Sequence, residues 1–326
     1  MKMMDTDFIR DIFTLLKLNC KMKKYLMWAM VGALTLTACE KVEIINGQND
    51  AGETGNTTAA DPKTKNKTAV VRFSVDQWDV STEPMYGAKT RAVTATEANM
   101  TDIWLMAYSA DTLAAMVHQQ STDENFGSIT MNLKYGKYYF YCVSSRGSNA
   151  VVDKVSKTIT WGSVRDTFWN VDSLNIRANT SENTSKTITL SRVVGRVTVQ
   201  LTDVVPEGAQ QVTLKPSHWY CGLCYLNGEP TADSDAERAV DIPDSYIGQQ
   251  GLRVSFMSLS PADDWTTGMA IAMKGAGDAV LGSVTLSDVP MGCNKTVTMT
   301  GALLCGTRSL GVNLNDTWGD SNEISW

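Results

Sequence analysis

The sequence predicts an all-β chain built as two consecutive antiparallel β-sandwich domains, and three observations carry that prediction. From residue 68 onward the chain runs in short segments rich in Val, Ile, Thr, Tyr and Phe, separated by clusters of Gly, Asn, Asp and Ser. Within the segments apolar and polar residues alternate, as in Val197-Thr198-Val199-Gln200-Leu201, so one strand face enters a core and the other meets water. A sheet with one wet face packs its dry face on a second sheet. Fourteen such segments exceed one sandwich, so two of about seven strands each are expected.

Taken in order, the candidate strands of the first half are 69–75, 103–109, 128–133, 137–144, 157–161 and 186–191. Those of the second are 196–202, 211–216, 222–226, 252–258, 269–273, 281–286, 295–300 and 311–315. Two short stretches read as helix: 94–100, where Thr94 with Glu97 three positions on makes a capping box, and 112–120. The boundary between domains falls near Gly195, which gives an N-terminal sandwich over 68–195 and a C-terminal one over 196–326.

Composition narrows the function classes. The 326 residues are 43% hydrophobic and 20% charged with 24 Gly and 8 Pro, enough for ordinary cores and unlike disordered or collagenous chains. Lys and Arg total 29 against 35 Asp and Glu, a net charge of -6 with no basic block, so nucleic acid is not expected as a partner. The two histidines, His118 and His218, sit beside no carboxylate pattern and leave little material for imidazole chemistry. No GxSxG, HExxH, Walker or dinucleotide motif occurs, so no enzyme activity, cofactor or metal is expected.

The N-terminus carries an export signal. Lys21-Met22-Lys23-Lys24 precedes an uncharged, mostly apolar stretch over 25–38, a length that suits a signal-peptide core better than a membrane span of ~20 residues. It closes on Leu36-Thr37-Ala38-Cys39, which resembles a bacterial lipobox, and Cys39 is read as the lipid-bearing first residue of the mature chain. The competing reading is a buried strand ending in an ordinary Cys. Asp5, Asp7 and Asp11 are out of place in a leader, so Met22 is read as the true start of a signal peptide within 1–38; an amphipathic helix over 7–18 is the alternative. Residues 39–67, polar and aperiodic after Ile45, read as a flexible tether.

Other constellations read as structural. Cys142, Cys221, Cys224, Cys293 and Cys305 are odd in number, so at least one thiol is unpaired within the chain. Cys221-Gly-Leu-Cys224 lacks a second ligand pair for zinc and a helix N-terminus for redox work. Asp263-Asp264-Trp265 reads as a turn, since adjacent strand side chains point to opposite faces. Asp316, Asp320 and Asn322 miss the calcium-loop spacing. The tryptophans, among them Trp78, Trp104, Trp161, Trp169, Trp219 and Trp265, read as core in a sandwich, with a sugar-stacking platform as the alternative. Asn-x-Ser/Thr sites at Asn56, Asn66, Asn179 and Asn294 are incidental beside a bacterial lipobox.

Three stretches, with the lipobox and tether before them, carry a family resemblance: Lys89-Thr90-Arg91-Ala92 followed by Ile103-Trp104-Leu105-Met106-Ala107-Tyr108; Leu190-Ser191-Arg192-Val193-Val194-Gly195-Arg196-Val197; and Pro290-Met291-Gly292-Cys293-Asn294-Lys295-Thr296 running into 300–304 and 312–318. In this order they resemble the Bacteroidales fimbrillin superfamily of type V pilus subunits. The resemblance implies sandwiches of transthyretin-like topology, delivery to the cell outer membrane by the lipid on Cys39, and assembly with other pilus subunits, of the same or different kind, by strand exchange. It also implies that an Arg-specific protease cuts in the loop after the first strand, with Arg91 and Ala92 flanking the cut; Arg91 reads equally as a plain loop arginine. The short tail after Trp318 departs from a stalk subunit's long donor strand, so an anchor or tip subunit stays open. The expected function is a structural and adhesive fimbrial subunit at the cell surface that meets a host or microbial ligand. The alternative is a monomeric surface lipoprotein that binds glycan or host protein.

Overall fold

The computed structural model describes residues 43–44, 68–80, 91–93, 100–177, 183–304, 309–315 and 324–325, with side chains omitted at 43–44, 76–80, 91–93, 183, 309, 315 and 324–325. Strand is their dominant secondary structure, as the alternation predicts. Among the described residues helix is limited to single 3₁₀ turns at Asp244–Tyr246 and Ala276–Asp278.

The first half makes one curled sheet. It contains β1 (Glu43–Ile44), β2 (Thr68–Val80), β3 (Arg91–Val93), β4 (Asp102–Ser109), β5 (Thr112–Gln120), β6 (Ser128–Lys134), β7 (Gly136–Ser145), β10 (Thr167–Ile176) and β11 (Asn183–Arg192). Their order is β1-β5-β4-β7-β10-β11-β2-β3, with β6 on β2. The sheet folds over itself, so that Val71 and Phe73 of β2 and Met131 of β6 share a core with Leu105 of β4 and Phe140 of β7. β8 (Val151–Asp153) and β9 (Thr158–Thr160) leave this sheet and join the next.

The second half is a sandwich of two sheets. One runs β21-β20-β12-β17-β14-β9-β8, from β12 (Val194–Leu201), β14 (Tyr220–Cys224), β17 (Arg253–Leu259), β20 (Thr296–Ala302) and β21 (Ser309–Asn315). β15 (Pro230–Asp233) adds to β14, and β22 (Ile324–Ser325) to β17. The other runs β16-β13-β18-β19, from β13 (Ala209–Pro216), β16 (Arg238–Asp241), β18 (Trp265–Gly275) and β19 (Val280–Met291). Val197, Val199 and Leu201 face Val212, Leu214, Ile271 and Met273 across the gap.

A third core joins the halves. Trp104, Met106 and Tyr108 leave the outer face of β4 and pack with Ile159, Trp161, Val194, Leu223, Tyr225 and Leu259. β4 is therefore buried on both faces, which is why Ile103-Trp104-Leu105-Met106-Ala107-Tyr108 is an unbroken apolar run. The Tyr108 and Tyr225 hydroxyls bond at 2.9 Å. The Arg192 guanidinium donates to both Asp166 oxygens, at 2.6 and 2.9 Å, and to Asn294 Oδ1 at 2.7 Å.

Three expectations are corrected. Segment 112–120 is strand β5, not helix; its Ala115, Val117 and Gln119 alternate inward, and pairing along β4 overrides the helix propensity of Leu113-Ala114-Ala115-Met116. Segment 157–161 serves the second half's sheet through Gly222↔Thr160 to Cys224↔Thr158. The sheets are antiparallel except where β2 meets β11, β12 meets β20 and β17 meets β22, which are parallel; the long connections between these partners permit that sense. Residues 94–99 lie outside the described residues.

Candidate functional site: the first strand and its groove

β2 is an amphipathic strand in its described side chains. Ala69, Val71, Phe73 and Val75 are buried, and alternate with exposed Thr68 and Arg72 and half-buried Val70 and Ser74. Phe73 packs on Phe140 with ring centroids 4.6 Å apart. Each of Val71, Phe73 and Val75 contributes about 1.5–3 kcal/mol by leaving water.

Both backbone edges of β2 are paired. One runs antiparallel to β6, from Thr68↔Lys134 to Ser74↔Ser128. The other runs parallel to β11 from Asn183↔Val70, and after a bulge continues to Ser191↔Asp79. Taking β2 away would leave two facing rows of unpaired N–H and C=O groups over an apolar floor, the arrangement that a strand from elsewhere satisfies.

Arg91 opens β3, opposite Val80, and Ala92 stands opposite Asp79. The predicted processing position therefore lies at the start of a short strand rather than in an unpaired loop. β3 ends its sheet, so one backbone edge has no neighbouring strand among the described residues. Cys39 lies outside the described residues, as do Cys305, the segment 316–323, Asn56, Asn66 and Asn179.

The aromatic residues face inward. Trp104, Trp161 and Trp219 are buried. Trp169 donates from Nε1 to the Tyr225 carbonyl at 2.8 Å, and Trp265 donates to Ser260 Oγ at 3.0 Å. Among the described residues the exposed large aromatic is Tyr139, with Lys137 Nζ 4.8 Å over its ring. Among the described side chains no tryptophan is exposed; Trp169 and Trp265 are half-buried.

Each histidine does have a carboxylate, contrary to the sequence reading. His118 Nε2 lies 2.8 Å from Asp102, with its ring stacked on Trp104, and His218 Nδ1 lies 2.8 Å from Asp233. Strand pairing supplies these partners from 16 and 15 positions away. Neither imidazole bonds a serine or cysteine side chain, and among the described residues no group of three or more His, Cys, Asp or Glu is placed to hold a metal. Cys221 and Cys224 are free thiols on β14, three positions apart. Burial pushes the Cys142 thiol well above its ordinary value, and the Cys293 thiol is raised mainly by burial and then by Asp263. Asp264 accepts a hydrogen bond from Lys295 Nζ in the turn before β18.

No family model matches the chain, and no curated protein matches it. Solved structures do. A candidate polysaccharide-binding protein from Bacteroides thetaiotaomicron is similar at 10% identity and a TM-score of 0.49, over 76% of this chain and 96% of that one. The fimbrial anchor protein Mfa2 from Porphyromonas gingivalis is similar at 10% identity and a TM-score of 0.45, over 77% and 98%. The tip fimbrial protein Mfa3 of the same organism is similar at 10% identity and a TM-score of 0.41, over 77% and 100%.

Two features of the surface escape sequence reasoning. The histidine–aspartate pairs depend on cross-strand register. The loops that carry Arg146 and Arg165 are brought together by the bond from Arg146 N to the Asp166 carbonyl.

Proposed function

We propose that this chain is a fimbrillin-type structural and adhesion subunit of a cell-surface pilus, exported as an outer-membrane lipoprotein through Cys39 and assembled by β-strand exchange, with no catalytic role. The observation that carries this reading is β2: a strand apolar on one face, hydrogen-bonded along both edges, and followed by Arg91-Ala92 in an edge strand. Cutting the chain after Arg91 breaks the covalent link between β2 and the rest of its sheet and leaves it held by hydrogen bonds and packing alone. A strand of matching alternation from another subunit then restores both ladders and refills the positions of Val71, Phe73 and Val75. In this reading 39–67 is the lipid tether, and 68–195 and 196–326 are the two sandwich domains; separate cores drawn from 69–190 and 197–310 support that division.

The test is the N-terminal sequence and intact mass of the protein taken from the native cell surface, beside an Arg91→Ala variant. The expected result is a chain starting at Ala92 that disappears in the variant, together with a heat-resistant ladder on a gel. An acylated start at Cys39 in both proteins, with no ladder, overturns strand removal.

A further inference from the structure

The loop after β7 and the loop before β10 lie against each other. Arg146 N donates to the Asp166 carbonyl at 2.9 Å, Gly162 N donates to the Ser148 carbonyl at 3.2 Å, and Ser148 forms a β-bridge with Ser163. Gly147 is held directly over an indole: a Cβ there would lie 2.5 Å from Cδ1 of Trp161. This double loop carries two arginines, Arg146 exposed and Arg165 half-buried. Among the described residues no hydrogen bond or ion pair engages either guanidinium, and the one nearby carboxylate in sequence, Asp166, gives both oxygens to Arg192. The bond from Arg146 N to the Asp166 carbonyl sets the backbones of Arg146 and Arg165 next to each other, and the Arg165 guanidinium is held below its ordinary value, by burial first and by Arg146 second. Trp161 adds a buried Nε1–H with no partner in the same loop wall. Two guanidinium groups on touching loops, with no counter-charge among the described residues, suit a carboxylate.

The complement is in the second half of the same sequence. Residues 68–195 carry 12 Lys or Arg and 12 Asp or Glu, whereas 196–326 carry 7 against 15. Part of that excess stands at one end of the second sandwich, where the loops 202–208, 243–251 and 275–279 meet: Gly248 N bonds the Val205 carbonyl, and a Cβ on Gly275 would lie 2.9 Å from the Gly208 carbonyl. Glu207, Asp244 and Asp278 are exposed there, beside the exposed apolar side chains of Val204 and Val280. The arginine loop has an exposed apolar neighbour of its own in Val151, at the start of β8.

We propose that Arg146 and Arg165 form a carboxylate-binding site that receives the acidic end of the second sandwich, at Glu207, Asp244 and Asp278, from another copy of this chain. The two faces are different surfaces of one molecule, so the contact is heterologous and propagates into a filament. The inference rests on the reading of the chain as an assembling subunit and adds a second, electrostatic contact to strand exchange. It fixes orientation and association rate more than total affinity.

Sedimentation velocity of the full chain at low and high salt tests it. The variant Arg146→Glu/Arg165→Glu weakens self-association by at least about tenfold at low salt. Its thermal midpoint falls little, because neither guanidinium has a hydrogen-bond or ion-pair partner among the described residues. Adding Glu207→Lys and Asp278→Lys to the same chain restores most of the loss. Self-association indifferent to the arginine reversal overturns the site. So does a monomeric wild type that instead binds a uronate- or sulfate-bearing oligosaccharide through the two arginines, since the occupant is then an acidic glycan. N-terminal sequencing reads strand removal separately: a chain processed after Arg91 whose assembly ignores the reversal overturns the arginine site alone.

Discussion

β2 and β12 occupy equivalent places in the two halves. Each is parallel to a late strand of its own half, β11 or β20, and antiparallel to another, β6 or β17. The difference lies in what surrounds them. In its described side chains β2 buries one face, while β12 from Val194 to Val199 is buried on both, with Val194 in the joining core and Val197 and Val199 in the second sandwich. β12 also follows β11 after the single residue Val193, and Arg192 just before it is tied to Asp166 and Asn294. Removing β2 opens one groove. Removing β12 would open two cores and the joint between them. One pairing pattern thus holds a strand that closes a single core in the first half and a strand shared by two cores in the second.

The largest expected effect breaks that comparison open. Phe73→Ala in β2 lowers the stability of the unprocessed chain by about 3–5 kcal/mol, and Met299→Ala in β20, beside β12, by about 2–5 kcal/mol. Urea midpoints of the unprocessed proteins measure both. If β2 is exchanged as proposed, only Met299→Ala lowers heat resistance in an assembled polymer, because the strand bearing Phe73 is then absent. Equal weakening of the polymer by Phe73→Ala would show that β2 stays in place.

A smaller effect sharpens the contrast at the backbone. Gly195 of β12 lies so close to the turn after β19 that a Cβ would sit 2.6 Å from the Gly292 carbonyl oxygen. Gly195→Ala therefore forces the strand and turn apart and costs about 1–3 kcal/mol, read as a shift in urea midpoint. Thr68→Ala, at the exposed start of β2, stays within about 0.5 kcal/mol of wild type. A neutral Gly195→Ala would mean that β12 is less tightly held than its burial indicates.

The same contrast explains what the sequence made legible. Strands with one wet face, such as 128–133, were found because their alternation is produced by the burial it predicts; β12 was found from the same alternation, although Arg196 and Thr198, expected to meet water, are buried. β10 was missed because Asn170, Asp172, Ser173 and Asn175 place polar residues in both phases, on a strand whose middle is mostly accessible. β5 was misread because Ala and Leu favour helix locally, and only β4 across from it decides otherwise. The two parallel pairings of β2 and β12 lie beyond any local pattern, since each joins residues about a hundred positions apart. At the candidate site, the apolar face of β2 was readable from 69–75 and the Arg-Ala step from its dipeptide. That Arg91 stands in register with Val80 was not, and neither was the meeting of Arg146 with Arg165, which depends on two loops touching.

The smallest effect concerns the joint itself. Tyr108 and Tyr225 are both buried, and their hydroxyl bond spans the two halves. Burial, and then the bond to Tyr108, raise the Tyr225 hydroxyl well above its ordinary value of 10.0. The folded state thus holds this proton more tightly than the unfolded chain does. The stability it supplies is complete below the unfolded value and is lost as pH rises from there toward the folded one. Tyr225→Phe removes one hydrogen bond, for about 1 kcal/mol at neutral pH. Because phenylalanine cannot titrate, the variant also loses stability less steeply once the pH passes about 10. Urea midpoints collected from neutral to alkaline pH compare the two slopes. Parallel slopes would place the alkaline sensitivity elsewhere and leave the third core, rather than the paired phenols, as what couples the two halves.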